Sequence, residues 1–223
     1  MKKVFSWHLP DYDTHYEEWM QINNEQNYQR LQREYALKQV KQFRTAVDIG
    51  GNLGFWSRDF CERFNKVVIF EPEPSNIECL KENIKMHSNY ILHEVGLGQT
   101  NEIKEFYTSL TTSGAHSFYR DQVFEDTVKK TTLPIKRLDE YNLTDVDLIK
   151  IDTQGSEYDI LLGGKQTLLD NNAVLNIEIE HKSETHKKQA VKIIDFLNSI
   201  GYREFGRSRK KEVVFVKTKN NTS

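Results

Sequence analysis

Three of the chain's eleven glycines fall within five residues, in the stretch Val47-Asp48-Ile49-Gly50-Gly51-Asn52-Leu53-Gly54. A short apolar run, Ala46 to Ile49, leads into that stretch. An amphipathic run leads out of it, Phe55 to Phe64, in which Trp56, Phe60 and Phe64 recur every fourth residue. Glycine at a strand-to-helix turn bends the chain tightly and lets a ligand approach main-chain atoms that a Cβ would block. The same rhythm continues with Val67 to Phe70 as strand, Ser75 to His87 as helix, and Tyr90 to Val95 as strand. Ser75 and Glu78 stand at capping-box spacing at the start of that second helix. Strand, helix, strand, helix is the pattern of a parallel sheet wound with helices on both faces.

The rest of the chain extends this α/β reading. Residues 1–43 read as a helical N-terminal arm, whose Trp7, His8, Tyr12, His15 and Tyr16 either lie over a ligand as a lid or simply pack on the body. The main domain runs over 44–219. Its alternation fails in an insertion at about 97–137, where Thr111, Thr112, Ser113 and Gly114 cluster between two possible strands, and so long an irregular segment predicts a functional role. Alternation resumes with Val146 to Ile151 as strand, Ser156 to Leu169 as helix, Val174 to Ile179 as strand and Thr185 to Ile200 as helix. Ala190, Val191, Ile194 and Leu197 form the last helix's apolar stripe. Tyr202 to Phe205 and Val213 to Val216 then flank the basic run Arg207-Ser208-Arg209-Lys210-Lys211, a C-terminal antiparallel hairpin, and residues 220–223 form a fraying tail.

Composition excludes several classes. Thirty-one Lys plus Arg against thirty-three Asp plus Glu leave no positive field to hold nucleic acid. No stretch approaches the roughly 20 apolar residues of a membrane span, and Met1-Lys2-Lys3 is not followed by an apolar leader core, so a cytoplasmic protein is expected. With Cys61 and Cys79 alone, both in helical patterns, neither a disulfide framework nor a four-thiol zinc site is available.

The chemistry is read from spacing and charge. Glu71 follows Gly50 by twenty-one residues, at the end of the second strand, where an acid accepts hydrogen bonds from the ribose hydroxyls of a nucleoside. A dinucleotide fingerprint reads G-x-G-x-x-G, whereas this turn reads D-x-G-G-x-x-G. Asp48 repels a pyrophosphate and favours a cation, and S-adenosylmethionine (SAM) carries a sulfonium and an ammonium. The turn therefore argues for SAM over NAD; the plainer alternative is that Asp48 caps the helix and the glycines only turn the chain.

These residues resemble the FkbM family of SAM-dependent methyltransferases, within the seven-stranded Rossmann-like class. The resemblance covers roughly residues 44–181. It lies in Val47 to Gly54, in Phe70-Glu71-Pro72 followed by Asn76, and in Leu138-Asp139-Glu140-Tyr141 with Asp147 to Glu157. Gln154 departs from the family, which usually has Glu there, and Gln can be neither a base nor a strong metal ligand. The resemblance implies that Asp48, Gly50, Asn52 and Gly54 line the methionine and ribose side of SAM, with Glu71 on the ribose and Pro72 and Asn76 in the same motif. Gly96 would lie near the adenine and Asp152 near the reacting methyl. It also implies a small-molecule acceptor, most readily a hydroxyl of a sugar, nucleotide-linked sugar or natural product. The rivals are an NAD-linked oxidoreductase, a nucleic-acid methyltransferase and a catalytically silent SAM-binding module.

Three residues are candidates for the catalytic step: Asp152, His181 at the end of the fifth strand as the base, and His116 in the insertion as an acceptor contact. Asn176, Glu178 and Glu180 share one face of that fifth strand, and an acidic face on a buried parallel strand requires partners. Either these acids converge with Asp152 and His181 on an acceptor or a divalent metal, or lysines pair with them; no metal ligand is assigned.

Overall fold

The computed structural model describes residues 1–23, 27–123, 128–181, 183–208 and 211–218. Five central segments, rich in β-branched residues, form parallel strands: β3 (Thr45–Ile49), β4 (Lys66–Phe70), β5 (Tyr90–His93), β9 (Val146–Ile151) and β10 (Val174–Glu178). The hairpin strands β11 (Tyr202–Ser208) and β12 (Glu212–Lys217) complete a seven-stranded sheet in the order β11-β12-β10-β9-β3-β4-β5, with β12 antiparallel to both neighbours. Alternate side chains serve two cores. Ala46, Val67, Ile69 and Leu148 pack on one face beneath α3 (Phe55–Arg63) and α4 (Pro74–Ile84). Val47, Ile49, Val68, Ile149 and Ile177 pack on the other beneath α5 (Glu157–Gly163), α6 (Lys165–Asp170) and α7 (Glu184–Ser199). Strand order reverses between β3 and β9, which opens a crevice at the carboxyl ends of those strands.

Several local expectations change. The arm opens with a two-stranded hairpin, β1 (Lys2–Val4) and β2 (Trp7–Leu9), before its helices α1 (His15–Asn23) and α2 (Arg30–Leu37). The insertion is mostly sheet: β7 (Glu102–Thr108) pairs with β8 (Lys129–Lys136), and β8 also pairs with β6 (Gly96–Leu97). Its alternation is hard to read because much of β7 is solvent-facing, including a fully exposed Ile103. The expected helix Ser156 to Leu169 breaks at Gly163 and Gly164, where a Cβ on Gly163 would stand 1.9 Å from the Gly98 carbonyl oxygen. Glu73, not Ser75, caps α4, accepting from the Asn76 N–H at 2.7 Å. On α7 the buried stripe is His186, Ala190, Ile193 and Leu197, while Val191 is exposed. Cys61 and Cys79 are buried free thiols. Among the described residues no helix is long and apolar enough to cross a membrane. Arg209, Lys210, Lys219 and the 220–223 tail lie outside the described residues.

Candidate functional site

The crevice holds about 800 Å³ of empty space, part of it open to solvent, within the range of cofactor clefts. Its first wall is the glycine turn. Gly50 has φ +78°, and a Cβ there would lie 2.1 Å from the Asp152 carbonyl oxygen, so no other residue fits. The Gly50 and Gly51 amides both donate to the Phe70 carbonyl, at 2.9 and 3.1 Å. Asn52 donates its N–H to Glu71 Oε2 at 2.7 Å and its side-chain amide to the Tyr16 hydroxyl at 3.0 Å.

Asp48 lies beneath this turn and does not line the crevice, contrary to the sequence expectation. Strand register places it directly across from Lys150, and their charged atoms are 3.1 Å apart with both side chains buried. Ser57 donates to the other carboxylate oxygen at 2.6 Å. Lys150 Nζ also donates to the Gly50 carbonyl at 2.5 Å and reaches that of Ile49 at 3.3 Å, so the pair fixes the turn from below. Gly54 likewise lies outside the lining, as the left-handed N-cap of α3.

Glu71 faces the crevice. Besides the Asn52 N–H it accepts the Glu73 N–H at 3.0 Å, and burial lifts its carboxyl to about 7. Pro72, Asn76 and Gly96 line the same region. Gly96 leaves room for the Phe118 ring, which a Cβ would meet at 2.6 Å. The arm supplies Tyr16, Tyr28 and Gln29, and the insertion supplies Ser113, Gly114, His116 and Phe118. His116 is held at both nitrogens: Nδ1 accepts the Ser109 N–H at 3.0 Å, and Nε2 meets the Tyr12 hydroxyl at 2.9 Å.

The far wall is acidic. Asp152 lines the crevice, and carboxylate oxygens of Asp152, Glu178 and Glu212 lie within 4.8 Å of one another. Gln154, at φ 54°, sends one amide nitrogen to Asp152 at 2.9 Å and to Glu178 at 2.7 Å, and Lys211 pairs with Glu178 and Glu180. Donors thus occupy the space between these acids, and we assign no metal there. Burial raises the carboxyl of Asp152, but Lys150 and Lys211, with hydrogen bonds from Glu178 and Gln154, hold it below the ordinary value. Glu178 is pushed well above the carboxylate range by burial and then by Asp152, and Glu212 is raised to about 7 by the same two causes. The structure does not bring His181 to this wall. It is exposed, 3.3 Å from Arg207, because the chain leaves the sheet after Glu178.

Comparison with known proteins places this geometry. A family model described as the methyltransferase FkbM domain matches residues 48–204. The chain belongs to the FkbM methyltransferase family. Among curated relatives, "Methyltransferase 1" of Beauveria bassiana is 25% identical over 52% of this chain and 57% of its own length. The "2-O-methyltransferase NoeI" of Sinorhizobium fredii is 29% identical over 55% of this chain and 58% of its own. The chain thus spans under two thirds of the length of the curated relatives it matches. In fold it is similar to an FkbM methyltransferase from Methylobacillus flagellatus, with TM-score 0.51 and 16% identity, covering 82% of this chain and 50% of that one. It is equally similar to a putative methyltransferase from Streptococcus mutans solved in complex with SAH, with TM-score 0.52 and 10% identity, covering 84% and 96%.

In this FkbM protein two residues of consequence carry sequence signals that spacing rules do not interpret. Lys150 interrupts the apolar run Leu148 to Ile151 with a charge, which a buried strand tolerates only with a partner. Glu212 opens a hairpin strand, where an acid ordinarily reads as solvated, yet it is 2% exposed.

Proposed function

We propose that this chain transfers a methyl group from SAM to a hydroxyl of a small polar acceptor, a sugar or other natural product. One observation carries the choice of cofactor. The amides of Gly50, Gly51 and Asn52, which would cradle a pyrophosphate in a dinucleotide site, are already bonded to Phe70 and Glu71, while the carboxylates of Glu71 and Asp152 face the crevice. That donor set fits ribose hydroxyls at one end and a cation at the other, and offers nothing to a diphosphate. The relative named as a 2-O-methyltransferase supports the hydroxyl acceptor.

SAM supplies an electrophilic methyl on a sulfonium. Glu71 accepts from the ribose, and those bonds favour its ionised form. Asp152, kept anionic by its lysines, stabilises positive charge beside the far wall. Tyr16, Phe55 and Tyr28, in edge-to-face and tilted contact with centroids 4.9–5.4 Å apart, roof the crevice and exclude water, so the arm serves as the lid. His116 orders the chain Tyr12, Ser75 and Glu73 at the acceptor side. Displacement at a methyl demands alignment above all, and the protein's work is positioning. The test is calorimetry with SAM, SAH and NAD, followed by methyl-labelled SAM with simple glycosides and nucleotide sugars. Micromolar SAM binding with no NAD heat, and label in an alkali-stable ether, are expected; NAD binding in place of SAM defeats the proposal.

A further inference from the structure

The far wall packs acid closely. Carboxylate oxygens of Asp152, Glu178 and Glu212 lie within 4.8 Å of one another, beside the ammonium groups of Lys150 and Lys211. Lys150 is already paired with Asp48 beneath the turn, and Lys211 pairs with Glu178. Among the described residues Glu212 is left short: its Oε2 accepts from Asn176 at 2.9 Å, but its Oε1 is buried without a hydrogen-bond partner. The Asn176 side-chain oxygen is likewise buried and unpartnered. Three acids grouped within 4.8 Å in a buried site do not all ionise unless positive charge arrives beside them. Asp152 is the member that reaches the crevice, so charge arriving there is felt by the two behind it.

We propose that Glu212, with Glu178, makes the crevice distinguish the sulfonium of SAM from the neutral thioether of SAH, by holding a proton when the thioether is bound and releasing it when the sulfonium is bound. Glu212 is thus a specificity-determining residue that lies behind Asp152 and need not touch the ligand. The inference rests on the SAM reading above. Its sense is fixed: a sulfonium beside Asp152 favours the ionised pair, so SAM gains on SAH as pH rises through neutrality, which favours product release over rebinding.

Other groups titrate nearby and must be separated. Glu71, also lifted to about 7, faces the part of the crevice read as the ribose site, and the ribose is common to both ligands. The ligands' own α-amino groups titrate differently, because the sulfonium of SAM lowers its ammonium pKa relative to SAH, and this term is the same for every variant of the protein. Asp152, Lys150, Lys211 and Tyr28 surround the pair, and all keep one charge state across the neutral range: Asp152 is held low, the lysines and Tyr28 high. His116 also lines the crevice, His15 and Arg30 lie near Glu212, and Glu157 and His186 near Glu178, so the acidic pair is read as the difference between the affinity ratio of the wild-type protein and that of the variant lacking both acids.

The experiment is isothermal calorimetry of the full chain with SAM and with SAH, from pH 6 to 8.5. A carboxyl moved by one unit, from about 7 to about 6, raises the affinity ratio about fivefold over that interval. That contribution should shrink in Glu212→Gln and in Glu178→Gln and vanish in the double variant, with SAH binding reporting that each variant is folded. The same pH dependence of the ratio in the wild-type protein and in a folded double variant overturns the inference alone. Failure of both ligands to bind overturns the SAM reading, and this inference with it.

Discussion

Asp48 and Asp152 end neighbouring strands, and both interact with the ammonium of Lys150, yet they do opposite work. Asp48 is completely buried, bonded to Lys150 and Ser57, and separated from the crevice by the glycine turn it supports. Asp152 is the first residue after β9, faces the crevice, and is tied through Gln154 to a second layer of acid. The same residue type is structural where strand register gives it a partner and chemical where the chain has just left the strand. The largest expected effect exploits this. Asp48→Ala strands the Lys150 charge in the core and should cost about 3–5 kcal/mol in urea unfolding. SAM affinity per folded molecule should change little, and complete loss of binding in protein that remains folded would erase the distinction between the two aspartates.

How much of this was legible follows from the same contrast. The β3, β4, β9 and β10 strands and the Gly50, Glu71 and Asp152 positions could be read because turns, apolar runs and loop spacings are local properties of the chain. The fate of Asp48 could not, because it depends on a cross-strand neighbour 102 residues away in register. Reading it as the cofactor's counter-charge gave the right turn and the wrong depth. The two strands of the insertion are only faintly legible, because β7 and β8 bury just one narrow face on Phe106, Phe118 and Ile135. The place of His181 after a strand is what recommends it in the sequence, but β10 ends at Glu178, and the two residues between lead it to solvent beside Arg207. Glu212 escaped notice because hairpin position carries no information on burial.

The next effect sharpens the comparison by pH. Glu71 has its carboxyl raised from the ordinary 4.5 to about 7 by burial. The folded state therefore binds the proton more tightly than the unfolded chain. This contribution is fully present below about 4.5 and is lost as pH rises through about 7, which amounts to about 3 kcal/mol at roughly 1.4 kcal/mol per unit. Chemical unfolding between pH 4.5 and 7.5 should show a falling component from this group that Glu71→Gln removes, whereas Asp152, held below its ordinary 3.8, changes stability with the opposite sign and only at more acidic pH. A component that survives the substitution places the titration elsewhere on the acidic wall.

Asp152→Asn should act on the ligand more than on the fold. Removing the one charge of the far wall that lines the crevice should weaken SAM by about tenfold, near 1.4 kcal/mol, while weakening SAH less. Stability should fall by less than in Asp48→Ala, since Asn keeps the Gln154 bond and leaves Lys150 with Asp48. Equal losses for SAM and SAH would mean that Asp152 shapes the crevice without acting through charge.

The smallest effect is the most discriminating for the catalytic assignment. His181 is exposed, its imidazole meets the Arg207 guanidinium at 3.3 Å, and it lines none of the crevice. His181→Ala should leave unfolding within about 0.5 kcal/mol, as surface substitutions do, with SAM affinity unchanged and methyl transfer within about twofold of the original. Loss of transfer by 10²-fold, the scale of a missing general base, would require the segment after β10 to swing inward during turnover and carry His181 past Lys211 to the acceptor. The ties that oppose such a swing are the Lys211 pairs to Glu178 and Glu180 and the Ile179 N–H to the Lys211 carbonyl at 2.7 Å. Those bonds hold the strand end to the hairpin and keep His181 away from the crevice.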